Sequence, residues 1–233
     1  MDTNRGLRRT AIVVLPVAAV LTLAACGPDI AAVHSGGNQS SRQFTDTNTV
    51  PQSIDRVNID NDAGDVTISV GAGPTTVRRI VRYSDNRPDA TTSVAGSVLD
   101  LRSCGHNCFV DYQVQVPVGT SVTGSVASGD VTLTGVADVD VRSVSGDVRV
   151  DGATGDVHAK SVSGTVDVNG AKGDLSATTV SGDIDVDTPA NSSYRVITST
   201  LSGDVHVTTP NDPTGAHTLK ASTLSGDVRI QAQ

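Results

Sequence analysis

Six times the chain writes Ser-Gly, then Asp or Thr, then an aliphatic residue. The copies are ASGDVTLTG (127–135), VSGDVRVDG (144–152), VSGTVDVNG (162–170), VSGDIDVDT (180–188), LSGDVHVTT (201–209) and LSGDVRIQA (224–232). Gly129, Gly146, Gly164, Gly182, Gly203 and Gly226 are 17, 18, 18, 21 and 23 residues apart. A repeat of that period stacks, so Asp130, Asp147, Asp183, Asp204 and Asp227 fall one above another at a single corner. Such a column could do one of two kinds of chemistry. Stacked carboxylates offer the hard oxygens that calcium prefers. Alternatively, glycine supplies a backbone geometry closed to other residues, and Ser and Asp hold the free N–H groups of a turn.

Two details favour the turn. The calcium-binding nonapeptide G-G-x-G-x-D-x-U-x places Asp two positions after its last Gly, whereas here Asp follows Gly directly and the earlier glycines are missing. Thr165 also takes the Asp position in the middle of the column; a hydroxyl replaces Asp in a turn more readily than in a metal site. The expectation is a structural corner, with a calcium ladder as the alternative and no other cofactor.

The remaining reactive residues do not add up to an active site. Cys104 and Cys108 in CGHNC are the pair left after Cys26 and are expected to close a small disulfide loop. A metal site from Cys104, His106 and Cys108 would lack a fourth ligand. Of the histidines, His34 falls in a polar leader and His158, His206 and His217 are scattered through the repeats. Asp138/Asp140 and Asp185/Asp187 are spaced as neighbours on the solvent side of a strand. Ser-Gly-Asp is not the G-x-S-x-G elbow, and no glycine-rich phosphate loop precedes a helix. A glycan-cleaving site would want aromatic platforms, and the chain has no Trp, two Phe and three Tyr. Arg78, Arg79 and Arg82 form one basic cluster, fit either to dock an anionic or acidic partner or to keep an edge strand solvated.

The first 25 residues read as an export signal: three arginines in MDTNRGLRR, then the short apolar run TAIVVLPVAAVLTLAA. Its end, Leu23-Ala24-Ala25-Cys26-Gly27, resembles the bacterial lipobox, which implies that Cys26 is lipidated and becomes the first mature residue. The formal charge is −8, and removal of Arg5, Arg8, Arg9 and Asp2 leaves about −10. An acidic molecule is a poor ligand for nucleic acid. Every acidic residue is Asp, with no Glu. Asp favours turns where Glu favours helices. With abundant Val, Thr and Gly, this points to an all-β protein.

Residues 26–53 read as the lipidated Cys followed by a polar tether. Residues 54–119 carry period-two segments such as IDRVNID and FVDYQVQVP, expected to form a small N-terminal β-sheet cap. Residues 120–233 are the repeats, with weaker half-way corners at Thr154-Gly155-Asp156 and Lys172-Gly173-Asp174. Short alternating strands bury their apolar faces only by stacking. The expected architecture is a parallel β-solenoid (β-helix) of about six 17–23-residue coils; an antiparallel array of hairpins fits the period less well. Three inward columns follow from the register: Val131, Val148, Val166, Ile184, Val205, Val228; Leu133, Val150, Val168, Val186, Val207, Ile230; and Val144, Val162, Val180, Leu201, Leu224. Each fully buried member is worth about 1.5–3 kcal/mol.

The chain from about residue 54 onward resembles the bacterial putative-adhesin β-strand-repeat family, domain of unknown function 4097. The resemblance rests on Ala63-Gly64-Asp65-Val66, on Val116-Pro117-Val118-Gly119, and on the serial Ser-Gly-Asp-Val motif. It implies a β-helical domain that is secreted or faces the surface, and it brings no catalytic motif. The functional expectation is an extracytoplasmic lipoprotein, held to a membrane by its N-terminal lipid. It would act as a non-catalytic binding or structural module for a surface protein or glycan.

Overall fold

The computed structural model describes residues 41–190 and 192–233. The expected signal peptide, Cys26 and the first part of the expected tether lie outside the described residues. Those described are all-β. The first strands are β1 (Arg42–Val50), β2 (Arg56–Ala63), β3 (Val66–Val70), β4 (Thr75–Tyr83), β5 (Thr92–Ala95), β6 (Val98–Arg102) and β7 (Cys108–Val116). The repeats contribute β8 (Ser121–Ser128), β9 (Val131–Thr134), β10 (Val139–Ser145), β11 (Val148–Asp151), β12 (Val157–Ser163), β13 (Val166–Asn169), β14 (Leu175–Ser181) and β15 (Ile184–Thr188). The last four are β16 (Tyr194–Ser202), β17 (Val205–Val207), β18 (His217–Ser225) and β19 (Val228–Ala232).

Two sheets result. One runs β1-β4-β7-β3-β9-β11-β13-β15-β19-β17 and the other β16-β18-β14-β12-β10-β8-β2-β6-β5. Each Ser-Gly-Asp corner carries the chain from the nine-stranded sheet to the ten-stranded one, and the half-way corner brings it back. Pairing within the repeats is parallel and in register: Val131, Val148, Val166, Ile184 and Val228 align, as do Leu133, Val150, Val168, Val186 and Ile230. These ten side chains are all buried. The parallel coil, not the hairpin array, is the arrangement present.

The order of the last coils differs from the sequence. β18 pairs with β14 and β19 with β15, so the last coil inserts directly on the coil of Gly182. The coil of Gly203 is displaced to the outside, with β16 on β18 and β17 on β19. Val205 and Val207 therefore end their columns as exposed residues (44% and 37%).

Residues 54–119 do not stand apart as a cap. β2, the corner at Gly64-Asp65 and β3 form a strand–corner–strand unit stacked on β8 and β9, like the later repeats. What departs from the coil pattern is an antiparallel extension, β1-β4-β7 on one sheet and β5-β6 on the other. The expected tether of residues 26–53 is not all linker. Residues 42–50 form β1, paired antiparallel along all of β4.

Candidate functional site

At the corners, the Asp side chains bond from coil to coil. Oδ1 of Asp65 accepts the backbone N–H of Asp130 (3.0 Å), Asp130 that of Asp147 (2.9 Å), and Asp147 that of Thr165 (2.7 Å). Beyond the Thr, Asp183 accepts from Asp227 (2.8 Å) and Asp227 from Asp204 (2.9 Å). Each carboxylate holds the amide that the next corner would otherwise leave free. A second ladder occupies the half-way corners, where Asp138, Asp156 and Asp174 accept from Asp156, Asp174 and Thr218. Among the described residues, no group of three or more His, Cys or Asp side chains has metal-binding geometry.

The corner glycine is set by stacking as much as by φ. Gly146 and Gly182 adopt φ of 144° and 153°, and a Cβ on either would collide with the carbonyl oxygen of the glycine below it. Just before the corner, Ser161 Oγ donates to that same carbonyl, on Gly146 (3.2 Å), and Thr179 and Thr223 do so on Gly164 and Gly182 (both 3.1 Å). These buried hydroxyls escape a reading that looks for apolar columns.

They also overturn the third column. The inward face of β10 is Val139, Val141 and Ser143, so Val144 has the opposite parity and points out. Val144, Val162, Val180, Leu224 and Leu201 are 53%, 46%, 42%, 51% and 79% exposed. In stacking order they make an aliphatic stripe across the outer face of the nine-stranded sheet. It is bordered on the corner side by the Asp ladder. On the other side lies a row that includes exposed Arg142 and Lys160, paired in register. The outer face of the ten-stranded sheet is different in kind. There Arg149 pairs with Asp151 and Asp167, and Arg229 with Asp185 (2.8 Å), as on a solvated face.

Cys104 and Cys108 are joined in a disulfide with Cα atoms 5.7 Å apart, which leaves neither sulfur free to bind metal with His106. The stapled loop borders a shallow depression of about 450 Å³ lined by Asp62, His106, Asn107 and the half-exposed Phe109.

The arginine cluster is split by the same alternation. Arg78 and Arg82 point outward and bond Gln113 and Asp111 (both 2.7 Å). Arg79 points inward at 9% exposure, in a two-pronged pair with Asp46 of β1 (2.7 and 2.8 Å), and also donates to Thr91 Oγ1 (3.0 Å). The bonded carboxylate raises the Arg79 pKa against the cost of burial. The Tyr112 hydroxyl joins this network at Thr91 Oγ1 (2.6 Å) and the Arg102 carbonyl (2.7 Å), and burial pushes its pKa up to about 12. Phe44 lies under the guanidiniums of Arg79 and Arg87, at 5.5 and 4.0 Å. The three arginines are therefore not one docking patch, and Arg79 fastens β1 to the sheet.

A similar architecture occurs in a solved structure. A putative cell adhesion protein from Clostridium sporogenes superposes with a TM-score of 0.53 at 14% identity, over 82% of this chain and 100% of that one. A putative adhesin from Bacteroides fragilis is 15% identical, with a TM-score of 0.47 over 84% and 99% of the two chains. No curated protein matches the sequence. The first of these likenesses shows the fold. The family is shown by the Toastrack model, domain of unknown function 4097, which matches residues 29–231, nearly the whole span from polar leader to last strand. With its stacked corners and two parallel-rich sheets, this chain belongs to the Toastrack family.

Proposed function

We propose that the protein is an exported lipoprotein, tethered through Cys26, whose folded part is a non-catalytic binding module on the extracytoplasmic side of the cell envelope. The observation that carries this reading is the aliphatic stripe of Val144, Val162, Val180, Leu224 and Leu201. A solvated sheet face is expected to be polar, and a continuous apolar row between the Asp ladder and a polar row is the pattern of a contact surface. The adhesion-related descriptions of the two solved structures agree with it, as does the disulfide, which belongs in an oxidising compartment. Its partner is a surface protein or glycan that lies along the stripe. The Asp column serves as corner chemistry, with no calcium and no other cofactor in the binding step.

The test is adherence of beads coated with the exported chain to cell surfaces and extracellular matrix, comparing wild type with Val162→Asp/Val180→Asp. Both side chains point outward, so the fold should survive. Loss of adherence with an unchanged melting temperature supports the reading. Undiminished adherence of the double variant rules out the stripe.

A further inference from the structure

The two ends of the stack are finished differently. At one end β1 and β5 close the sheets with antiparallel strands, and β1 is polar and charged along most of its length. At the other, β16 and β17 are the last strands of the two sheets. Val205 and Val207, which occupy inward positions of the core columns, are open to solvent. The loop after β17 shields only the start of β16: Asn211 Oδ1 accepts the Val196 N–H (3.0 Å), and the Asp212 N–H bonds the Tyr194 carbonyl (2.9 Å). From Thr198 onward none of the described residues pairs with the edge. A stack that ends in an apolar, unpaired edge is a template for another strand, and repeat proteins ordinarily cover it.

We infer that a second copy of this chain covers this end, in a two-fold, end-to-end dimer. Three observations select a second copy over a foreign strand. Thr200 and His206 lie three residues before and after the corner at Gly203, so a single two-fold axis can cross both edge strands at once. With β17 antiparallel to its counterpart about His206, Val205 meets the partner's Val207. Side-chain parity is kept, and the two cores become continuous. With β16 antiparallel about Thr200, the paired stretch is Thr198–Ser202, the part that the Asn211 loop leaves open.

Charge agrees. Exposed Arg195 and exposed Asp204 sit at opposite ends of this edge, and the described residues provide neither with an ion-pair partner. The antiparallel arrangement brings Arg195 toward the partner's Asp204. The far end presents the polar, charged β1 instead of an apolar edge, so it does not match this end for head-to-tail growth, and the assembly stops at two. This goes beyond the binding role of the stripe, whose other four members lie on strands that are not the edge.

The experiment is sedimentation-velocity centrifugation of the chain carrying Cys26→Ser, as wild type and as Val205→Lys, together with oxidative cross-linking of His206→Cys. Directly opposed residues of an antiparallel pair are about 4.5–5.5 Å apart at Cα, within disulfide range. The expected result is a wild-type dimer, a monomeric Val205→Lys with retained β-sheet circular dichroism, and a covalent dimer of His206→Cys. His158→Cys, exposed in mid-sheet, should not cross-link. If Val205→Lys fails to fold, the cross-link decides alone. A wild-type monomer at every concentration, an open-ended polymer, or absence of the His206→Cys dimer would overturn the inference. Loss of adherence without loss of the dimer, or the reverse, separates it from the stripe.

Discussion

Asp147 Oδ1 accepts the backbone N–H of Thr165 at 2.7 Å, and Thr165 has no carboxylate to do the same for Asp183. The ladder is thus interrupted at one rung. Asp147→Ala should lower stability by about 1 kcal/mol, the usual net value of one such bond, and Asp147→Asn should recover most of it. Thr165→Asp should complete the ladder and raise the denaturation midpoint, because the new carboxylate meets the Asp183 amide. Urea titration of the three variants checks the set.

Two glycines with positive φ should respond very differently to Ala. At Gly182 a methyl group would enter the space of the Gly164 carbonyl oxygen, and the coils cannot separate without breaking the parallel ladder. At Gly152 (φ 65°) nothing lies within 4 Å. Gly152→Ala should cost about 1–2 kcal/mol, the left-handed penalty alone. Gly182→Ala should cost more than about 4 kcal/mol, in the range reserved for severe packing faults. Equal effects would mean that φ, and not the close stacking, selects the corner glycine.

Val162 and Val166 are four residues apart, on opposite sides of the wall. Val166→Ala should cost about 2 kcal/mol, since it leaves a cavity in a fully buried column. Val162→Ala should leave the melting temperature within error and instead weaken whatever the outer face binds.

The contrast between those valines marks where the sequence is legible. The spacing of the Ser-Gly-Asp motifs identifies parallel stacking and the first two columns, because a register of β-branched residues has one economical arrangement. The third column fails because an apolar residue beside a corner need not face inward. Counting from Val139 and Val141 instead puts Ser143 inside, where the same position in the next coil, Ser161, bonds a glycine carbonyl. The swap of the last two coils is not readable at all. Leu201 and Leu224 open identical motifs, and the connections at 189–193 and 208–216 are long enough to serve either order. β1 looks like a linker because an edge strand tolerates polar residues on both faces. Its fastening, Asp46 to Arg79, joins residues 33 apart and belongs to tertiary structure.

Tyr112 makes the buried network pH-sensitive. Its pKa is raised from 10.0 to about 12 in the folded protein, chiefly by burial. A group whose pKa is raised on folding stabilises the native state below the unfolded value and loses that contribution as pH climbs through the folded one. Stability should therefore fall between about pH 10 and 12, and Tyr112→Phe should flatten the fall at the cost of the bonds to Thr91 and Arg102. Denaturant midpoints across that window are the check.

On the proposed function, the Asp of Ser-Gly-Asp holds the next coil's amide and does not hold calcium. Thermal melts of the Cys26→Ser chain with millimolar calcium and then with EDTA test it most directly. Superimposable curves are expected, with Asp147→Ala lowering both equally. A large calcium-dependent rise in melting temperature, lost in Asp147→Ala and Asp183→Ala, would contradict it and make the column a metal site.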